Sequence, residues 1–456
     1  MHPAIQRIQI AIEGTKFEGD LYLVGGAVRD ELLGLSHDND FDLVTRGSAA
    51  ELADLLYEKG ASSITPVTYD RFGTAMVRVE GIEVELVTAR RESYDSKSRK
   101  PTVEPATYTE DALRRDFTAN TLMRNIGTGE VVDPLGSGLA DLEARILRTP
   151  CDPDATFIDD PLRMLRAVRF RWKLGFEPAE GLYASIQRNV DRLKIISWER
   201  IRDELMKMLD HPTGPEALSD LMSLGLFHVI APELVAMVDC EQGRYHHLDV
   251  WNHTLLVMKN AGASDRTLTL AALFHDIGKP PTRSIDEQGN TRFFGHESVG
   301  ATLTDEVLRR WKLPQREIDP VVRLVKNHMR LGHAPIFTES AARRILRDLG
   351  EDLDRLLELV DADCRALKPG VRIMDLSEIW VRLQEVQTAT PHHVLESPLS
   401  GIEIMALTGL PAGREIGRLK QLLTEKVLEG ILRPDDKSTA ANLIQEDMKN
   451  QKGTKD

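Results

Sequence analysis

The chain has 456 residues and a formal charge of −14, long enough for about three or four domains. That charge argues against a non-specific polyanion binder, although a local basic stripe on an acidic protein still suits an RNA enzyme. No apolar run approaches the roughly 20 residues that span a bilayer. Residues 1–14 are too polar for the core of a signal peptide. The three cysteines, Cys151, Cys240 and Cys364, show no zinc spacing and read as thiols of a reducing cytoplasm.

Up to about residue 150 short β-rich runs alternate with glycine turns, at residues 21–24, 41–44, 75–79 and 82–87. The last two read as a hairpin joined at Glu80-Gly81, because Ile82, Val84 and Leu86 alternate with Glu83 and Glu85. The first run enters Gly25-Gly26 and then the helix-forming Ala27-Val-Arg29-Asp30. Glycines in such a turn let backbone amides approach a ligand, and a helix start favours phosphate. A Gly-Gly turn alone says little. The second run carries Asp40 and Asp42, spaced so that both carboxylates share a face while Phe41 and Leu43 point to the core. Two parallel carboxylates repel unless a cation lies between them, and Mg²⁺ fits oxygen ligands. Glu85, on a neighbouring run, is a candidate third carboxylate. A bare Asp-x-Asp reads better as solvated acids on an edge strand; the adjoining Gly-Gly-x-x-Arg-Asp turn favours the metal. Arg114-Arg115-Asp116-Phe117-Thr118 follows, with cations suited to phosphates, or alone a solvated charge run. Asp133-Pro-Leu-Gly136 and Asp141-Leu142 mark a turn into a helix.

Beyond residue 150 helical periodicity dominates. Asp159-Asp160-Pro161-Leu162-Arg163 opens a stretch with Arg166, Arg169, Arg171 and Lys173, and Ser197-Trp-Glu-Arg-Ile201 opens another. Asp160 and Arg163, three apart, are expected on one helical face, where an ordinary surface ion pair is the plain alternative.

In this order the motifs at 23–30, 40–42, 114–118, 133–142, 159–163 and 197–201 resemble those of class II tRNA nucleotidyltransferases. That family holds bacterial CCA-adding enzymes and their poly(A) polymerase relatives, within the polymerase-β-like superfamily. The resemblance implies a catalytic set of Asp40, Asp42 and Glu85 using Mg²⁺. It also implies a nucleotide site of Gly25, Gly26, Arg29, Arg115, Asp116, Asp160, Arg163, Arg166 and Arg169. The family's base-reading motif begins with Glu more often than with the Asp159 found here. A carboxylate at Asp160 would accept from the exocyclic amine of C or A while Arg163 donates to the adjacent ring atom. U and G present the opposite polarity and leave buried partners unpaired. Residues 92–109, poor in apolar side chains, are expected to form a mobile loop of the kind that accompanies A addition in the family. The implied partners are tRNA, CTP and ATP. The rivals are an enzyme adding only A or only CC, a poly(A) polymerase, and a phosphohydrolase whose head merely binds RNA.

Thirteen histidines are unevenly spread. Trp251-Asn-His253, Phe274-His275-Asp276-Ile-Gly-Lys279, Gly295-His296-Glu297 and Asn327-His328 all fall at helical or helix-end positions. A lone histidine on an apolar face is usually a core residue; four, one beside an aspartate, point to metal. The region resembles the HD superfamily of phosphohydrolases. The resemblance implies ligands at His253, His275, Asp276, His296 and His328, with Asp363 rather than Asp361 closing the set. It implies an ion such as Mn²⁺, Ni²⁺ or Co²⁺. For Tyr245-His246-His247 a surface role is as good a reading. Near the end, the turn at residues 408–417 either cradles an RNA phosphate or simply starts a helix.

The expected fold is α+β. A mixed-sheet head (residues 1–148) precedes a helical neck (149–210), a helical HD body (211–390) and a small helical tail (391–456).

Overall fold

A computed structural model of the chain describes residues 2–36, 40–69, 72–93, 102–243, 245–331, 338–371, 376–389 and 395–453. Residues 94–101 of the expected mobile loop at 92–109, and residues 390–394 around the expected start of the tail, lie outside the described residues. The rest of the loop segment holds the strand Thr102–Pro105 and the start of the helix Tyr108–Leu113. The chain divides into two compact units. One comprises Met1–Met208 with Glu216–Ile230, the other Leu209–Pro215 with Ala231–Asp456.

The first unit holds a seven-stranded mixed sheet. Its strands are β1 (Leu21–Val24), β2 (Phe41–Thr45), β3 (Val67–Tyr69), β4 (Thr74–Val79), β5 (Ile82–Thr88), β8 (Met123–Asn125) and β9 (Val131–Val132). A separate antiparallel ribbon pairs β6 (Arg90–Ser93) with β7 (Thr102–Pro105). The sheet order is β3-β4-β5-β2-β1-β8-β9. Only β2 and β5 run parallel; the other neighbours are antiparallel. The expected β4–β5 hairpin forms. Glu80 and Gly81 both take positive φ, 50° and 79°, the backbone that a two-residue turn between right-twisted strands demands. Phe41 and Leu43 are buried while Asp42 between them is half-exposed, as period-two alternation requires.

Helices Pro153–Asp159 and Leu162–Leu174 follow the sheet, broken at Asp160-Pro161. Proline disfavours the helical region for the residue before it, and Asp160 is extended at φ −137°, ψ 99°. Asp160 therefore does not share a helical face with Arg163, which corrects that expectation. Leu162, Leu165 and Val168 bury one stripe of the second helix, and Gly175, at φ 66°, ends it.

Among the described residues the second unit is helical apart from a two-stranded ribbon, Ser284–Ile285 with Thr291–Arg292. Helices Val250–Ala261, Arg266–Phe274, Gln315–Asn327 and Leu353–Arg365 pack on one another, and His296–Arg310 packs on Gln315–Asn327. One close approach explains the glycine in His275-Asp-Ile-Gly-Lys279. A Cβ on Gly278 would lie 2.1 Å from the His296 carbonyl and 2.6 Å from the Gly300 nitrogen, so a side chain there would push the His296 helix away. Among the described residues no helix is long and apolar enough to cross a membrane.

Two candidate active sites

The first site lies where β2 meets β5 and the turn after β1. The parallel register sets Asp42 directly opposite Glu85, and the antiparallel one sets it opposite Val24. Asp40 is exposed just before β2. Gly25 has φ 76°, and a Cβ there would sit 3.8 Å from Asp42 Oδ2 and 3.7 Å from an Arg115 guanidinium nitrogen. Glycine thus leaves open a gap walled by an acid on one side and a cation on the other. Burial, with the charges of Glu85 and Asp40, pushes the Asp42 carboxyl up to about 6, against the pull of Arg115. Crowded carboxylates in this condition are what a divalent cation relieves.

Around this gap the cations are held by acids. Asp111 accepts from Arg115 at 3.0 and 3.2 Å through one oxygen and from Arg114 at 2.6 and 2.9 Å through the other. Burial raises the Asp111 carboxyl, but Arg115 and Arg114 outweigh it and hold it low. Gly26 starts the helix Gly26–Leu32 that carries Arg29. Arg29, only 4% exposed, donates to Asp30 at 2.7 Å and to Asn120 at 2.6 Å. Asp116 accepts from Asn120 and the Phe117 amide through one oxygen and from Arg166 through the other, at 2.7 and 2.9 Å. Glu204 then accepts from Arg169 at 2.6 Å and Arg166 at 3.4 Å. Arg29 and Arg169 thus lie in the interior, bound to acids, rather than on an open face. Arg163 donates to the Arg114 carbonyl at 2.5 Å and the Thr156 carbonyl at 3.3 Å. Asp160 caps the Leu162 amide and accepts from Arg200 at 2.7 Å. The Arg163 bond to Arg114 ties the neck helix to the segment holding Arg115, beside Gly25 and Asp42.

The second site gathers six side chains from four helical segments and the turn after helix Arg266–Phe274. His253 Nε2 lies 2.9 Å from Asp363 Oδ1 and 3.8 Å from Asp276 Oδ2, and His275 Nε2 is 3.1 Å from that same oxygen. On the other side, His296 and His328 Nε2 lie 3.6 and 3.8 Å from Asp276 Oδ1 and 3.3 Å from each other. Two three-residue clusters result, His253 with His275 and Asp363, and Asp276 with His296 and His328. Asp276 faces both through different oxygens. His275, His296 and His328 each set Nδ1 against a backbone carbonyl, of Ala272, Phe293 and Val325, at 2.7–2.8 Å. A carbonyl accepts only from an N–H, so Nδ1 carries the proton and Nε2 is left as a free donor pair for an ion. Burial, with His275 nearby, lowers His328 to about 3. Burial raises Asp276, but His275 and Lys279 outweigh it and hold its carboxyl well below the usual range. Asp361 pairs instead with Arg365 at 2.9 Å.

Three residues near this centre were not assigned from sequence. Lys279 donates to Asp276 and to Gln242, each at 2.6 Å. Its position three after Asp276 on a short helical turn was a usable signal; Gln242 gave none. His246 packs perpendicular to His253, with ring centroids 4.7 Å apart.

A family model described as the poly(A) polymerase head domain matches residues 21–148, and an HD domain model matches residues 244–377. Between them, residues 175–237 match a probable RNA- and SrmB-binding site of polymerase A. Head, RNA-binding segment and HD domain in this order define a nucleotidyltransferase of the poly(A) polymerase head class. The chain is 33% identical to an A-adding tRNA nucleotidyltransferase of Deinococcus radiodurans over 88% of its length and 90% of that protein. It is also 33% identical to a CC-adding tRNA nucleotidyltransferase of Thermus thermophilus, over 90% of each chain. The Bacillus stearothermophilus CCA-adding enzyme, solved in complex with CTP, superposes with a TM-score of 0.68 at 24% identity, covering 99% of this chain and 100% of that one. The chain belongs to the family of tRNA nucleotidyltransferases that includes the CCA-adding, A-adding and CC-adding enzymes.

Proposed function

We propose that this enzyme rebuilds the whole CCA end of tRNA from CTP and ATP, without a nucleic-acid template. The observation that carries the reading is the meeting of head and neck motifs at one gap. Asp42 and Arg115 flank Gly25, Glu85 stands opposite Asp42 on the next strand, and Arg163 is anchored on the neighbouring Arg114 carbonyl. In this reading Asp40 and Asp42, with Glu85 beside them, hold Mg²⁺, which supplies charge stabilisation at the transferring phosphoryl and activates the 3′ hydroxyl. Gly25 and Gly26 keep the turn low enough for a triphosphate to approach, and Arg115 faces it. Asp160 and Arg163 present an acceptor and a donor fork to the incoming base, selecting C and A over U and G. Arg29, Asp116, Arg166 and Arg169 serve by fixing the turn and the neck helix. The domain scheme is a head to residue 148, a neck to 210, an HD body to 390 and a tail beyond.

The second centre suits hydrolysis of a terminal phosphate or a 2′,3′-cyclic phosphodiester, which would restore the 3′ hydroxyl that addition needs. Its imidazole-rich ligands favour Mn²⁺, Co²⁺ or Ni²⁺ over Mg²⁺. An alternative reading, partial addition of either the terminal A or CC alone, has equal support in the 33% identical Deinococcus radiodurans and Thermus thermophilus enzymes. Extension assays separate the two. tRNAs lacking the whole CCA end, the last two nucleotides or only the final A are offered with CTP or ATP. Full CCA addition extends all three; an A-adding enzyme extends only the last, with ATP.

A further inference from the structure

The loop before helix Val250–Ala261 brings two side chains to the HD centre that belong to neither three-residue cluster. It is closed at its base, where the Val250 amide donates to the Cys240 carbonyl at 3.0 Å and the Asp239 amide to Asp249 at 2.8 Å. It is tied further out by the Lys368 amide, which donates to the Tyr245 carbonyl at 3.1 Å. Within it Gln242 accepts from Lys279 at 2.6 Å and donates to the Leu248 and Asp249 carbonyls, both at 3.3 Å. The loop is thereby fixed to the lysine that pairs with Asp276.

On this frame His246 stands at 90° to His253. Its Nδ1 is buried and has no hydrogen-bond partner. Its Nε2 also makes no hydrogen bond among the described residues, yet is not sealed from solvent. The contrast is with His275, His296 and His328, whose Nδ1 atoms are all satisfied by carbonyls. Buried polar atoms in folded proteins nearly always have partners. An imidazole with an unpartnered nitrogen, packed on a candidate metal ligand by a loop tied to Lys279, is equipped to donate to an anion held there.

We propose that His246 is a substrate-binding residue of the HD centre, donating a hydrogen bond to a phosphoryl oxygen of the terminal phosphoester. The proposal rests on the reading of that centre as a phosphohydrolase site, and its test does not depend on turnover alone. His246→Phe keeps a ring packed on His253 but removes both nitrogens; His246→Gln retains a donor near the Nε2 position. Wild type and both variants are loaded with Mn²⁺, and Mn²⁺ affinity, binding of inorganic phosphate by calorimetry and hydrolysis of 2′,3′-cyclic AMP are measured. His246→Phe should weaken phosphate binding and raise KM by about tenfold or more, with Mn²⁺ affinity, kcat and thermal unfolding little changed. His246→Gln should recover most of the loss. Unchanged phosphate binding in His246→Phe overturns the proposal, as does a matching loss of Mn²⁺, which would make His246 a prop for His253. Phosphate binding that depends on His246 without any hydrolysis would keep the hydrogen bond to phosphate but overturn the hydrolase reading, and with it the role of His246 as a substrate contact.

Discussion

The two sites invert the relation between burial and chemistry. In the first unit the acids at the gap are exposed or partly buried, while the deeply buried ions are each held by an opposite charge, Arg29 by Asp30, Asp116 by Arg166 and Arg169 by Glu204. In the HD centre five of the six candidate ligands are no more than 5% exposed, and they are the chemistry. A buried ion pair fixes a position; a buried cluster of Nε2 and carboxylate atoms with the protons held on Nδ1 is arranged for an ion. Burial alone therefore ranks neither site. What separates them is the kind of partner: guanidinium groups occupy the buried acids of the first unit, whereas the HD centre turns the Nε2 atoms of His275, His296 and His328 toward Asp276.

The largest effect expected from this contrast is a double dissociation. Asp40→Ala or Asp42→Ala should cut addition of both C and A by about 10³-fold or more, as loss of a metal ligand removes several kcal/mol of charge stabilisation. Phosphohydrolysis in the same variants should persist. His275→Ala and Asp276→Ala should do the reverse. Near-normal addition by Asp42→Ala in Mg²⁺ would remove the carboxylates from the mechanism. The ions should divide likewise once chelator has stripped the protein. Mg²⁺ should restore addition, and Mn²⁺, Co²⁺ or Ni²⁺ should be needed for hydrolysis. Equal hydrolysis in Mg²⁺ alone would contradict an imidazole-ligated ion.

A smaller effect is expected where the first site chooses its nucleotide. Asp160→Ala or Arg163→Ala should slow correct addition and reduce discrimination against UTP and GTP by about 100-fold, the scale of leaving one buried partner unpaired. An unaltered preference would mean that side chains other than these read the base. Deleting residues 94–101 should impair A addition more than C addition; equal loss would make that segment structural.

Much of this was legible in the sequence, and the misses have physical reasons. The β4–β5 hairpin and the alternation of Phe41, Asp42 and Leu43 follow from periodicity, and Asp363 in preference to Asp361 came only with the family resemblance. Asp160 was misplaced because helix spacing was counted through Pro161, which forces the preceding residue out of the helix. Glu85 was legible as a carboxylate on a neighbouring strand, and the β2–β5 register sets it opposite Asp42, although the crossover that joins those strands is not encoded in local pattern. Pairing was the harder loss. Arg166 and Arg169 were assigned to the nucleotide because Asp116 and Glu204, the acids that hold them, lie some 35–50 residues away. His246 is seven residues from His253 and outside its helix, so only the folded loop sets the rings together.

Asp116 offers a smaller but cleaner measure of the inner ion network. Burial works against its charge, but Arg166 and the Asn120 amide outweigh that and hold the carboxyl at about 2, below the ordinary 3.8. A carboxyl depressed on folding contributes stability that is complete above its unfolded value and is lost as pH falls through the folded one. Asp116 should therefore stabilise the first unit by about 2 kcal/mol at neutral pH, with the contribution fading between about pH 4 and pH 2. Asp116→Asn preserves shape and removes the charge, so the gap in urea midpoint between variant and wild type reads the contribution directly. The gap should be flat from pH 7 to pH 5 and should close at lower pH. Nucleotide addition at pH 7 should fall only as far as the neck helix loosens, with discrimination against UTP retained. A gap that persists unchanged at pH 2.5 would show that Asp116 acts through its hydrogen bonds to Phe117 and Asn120 rather than through its charge.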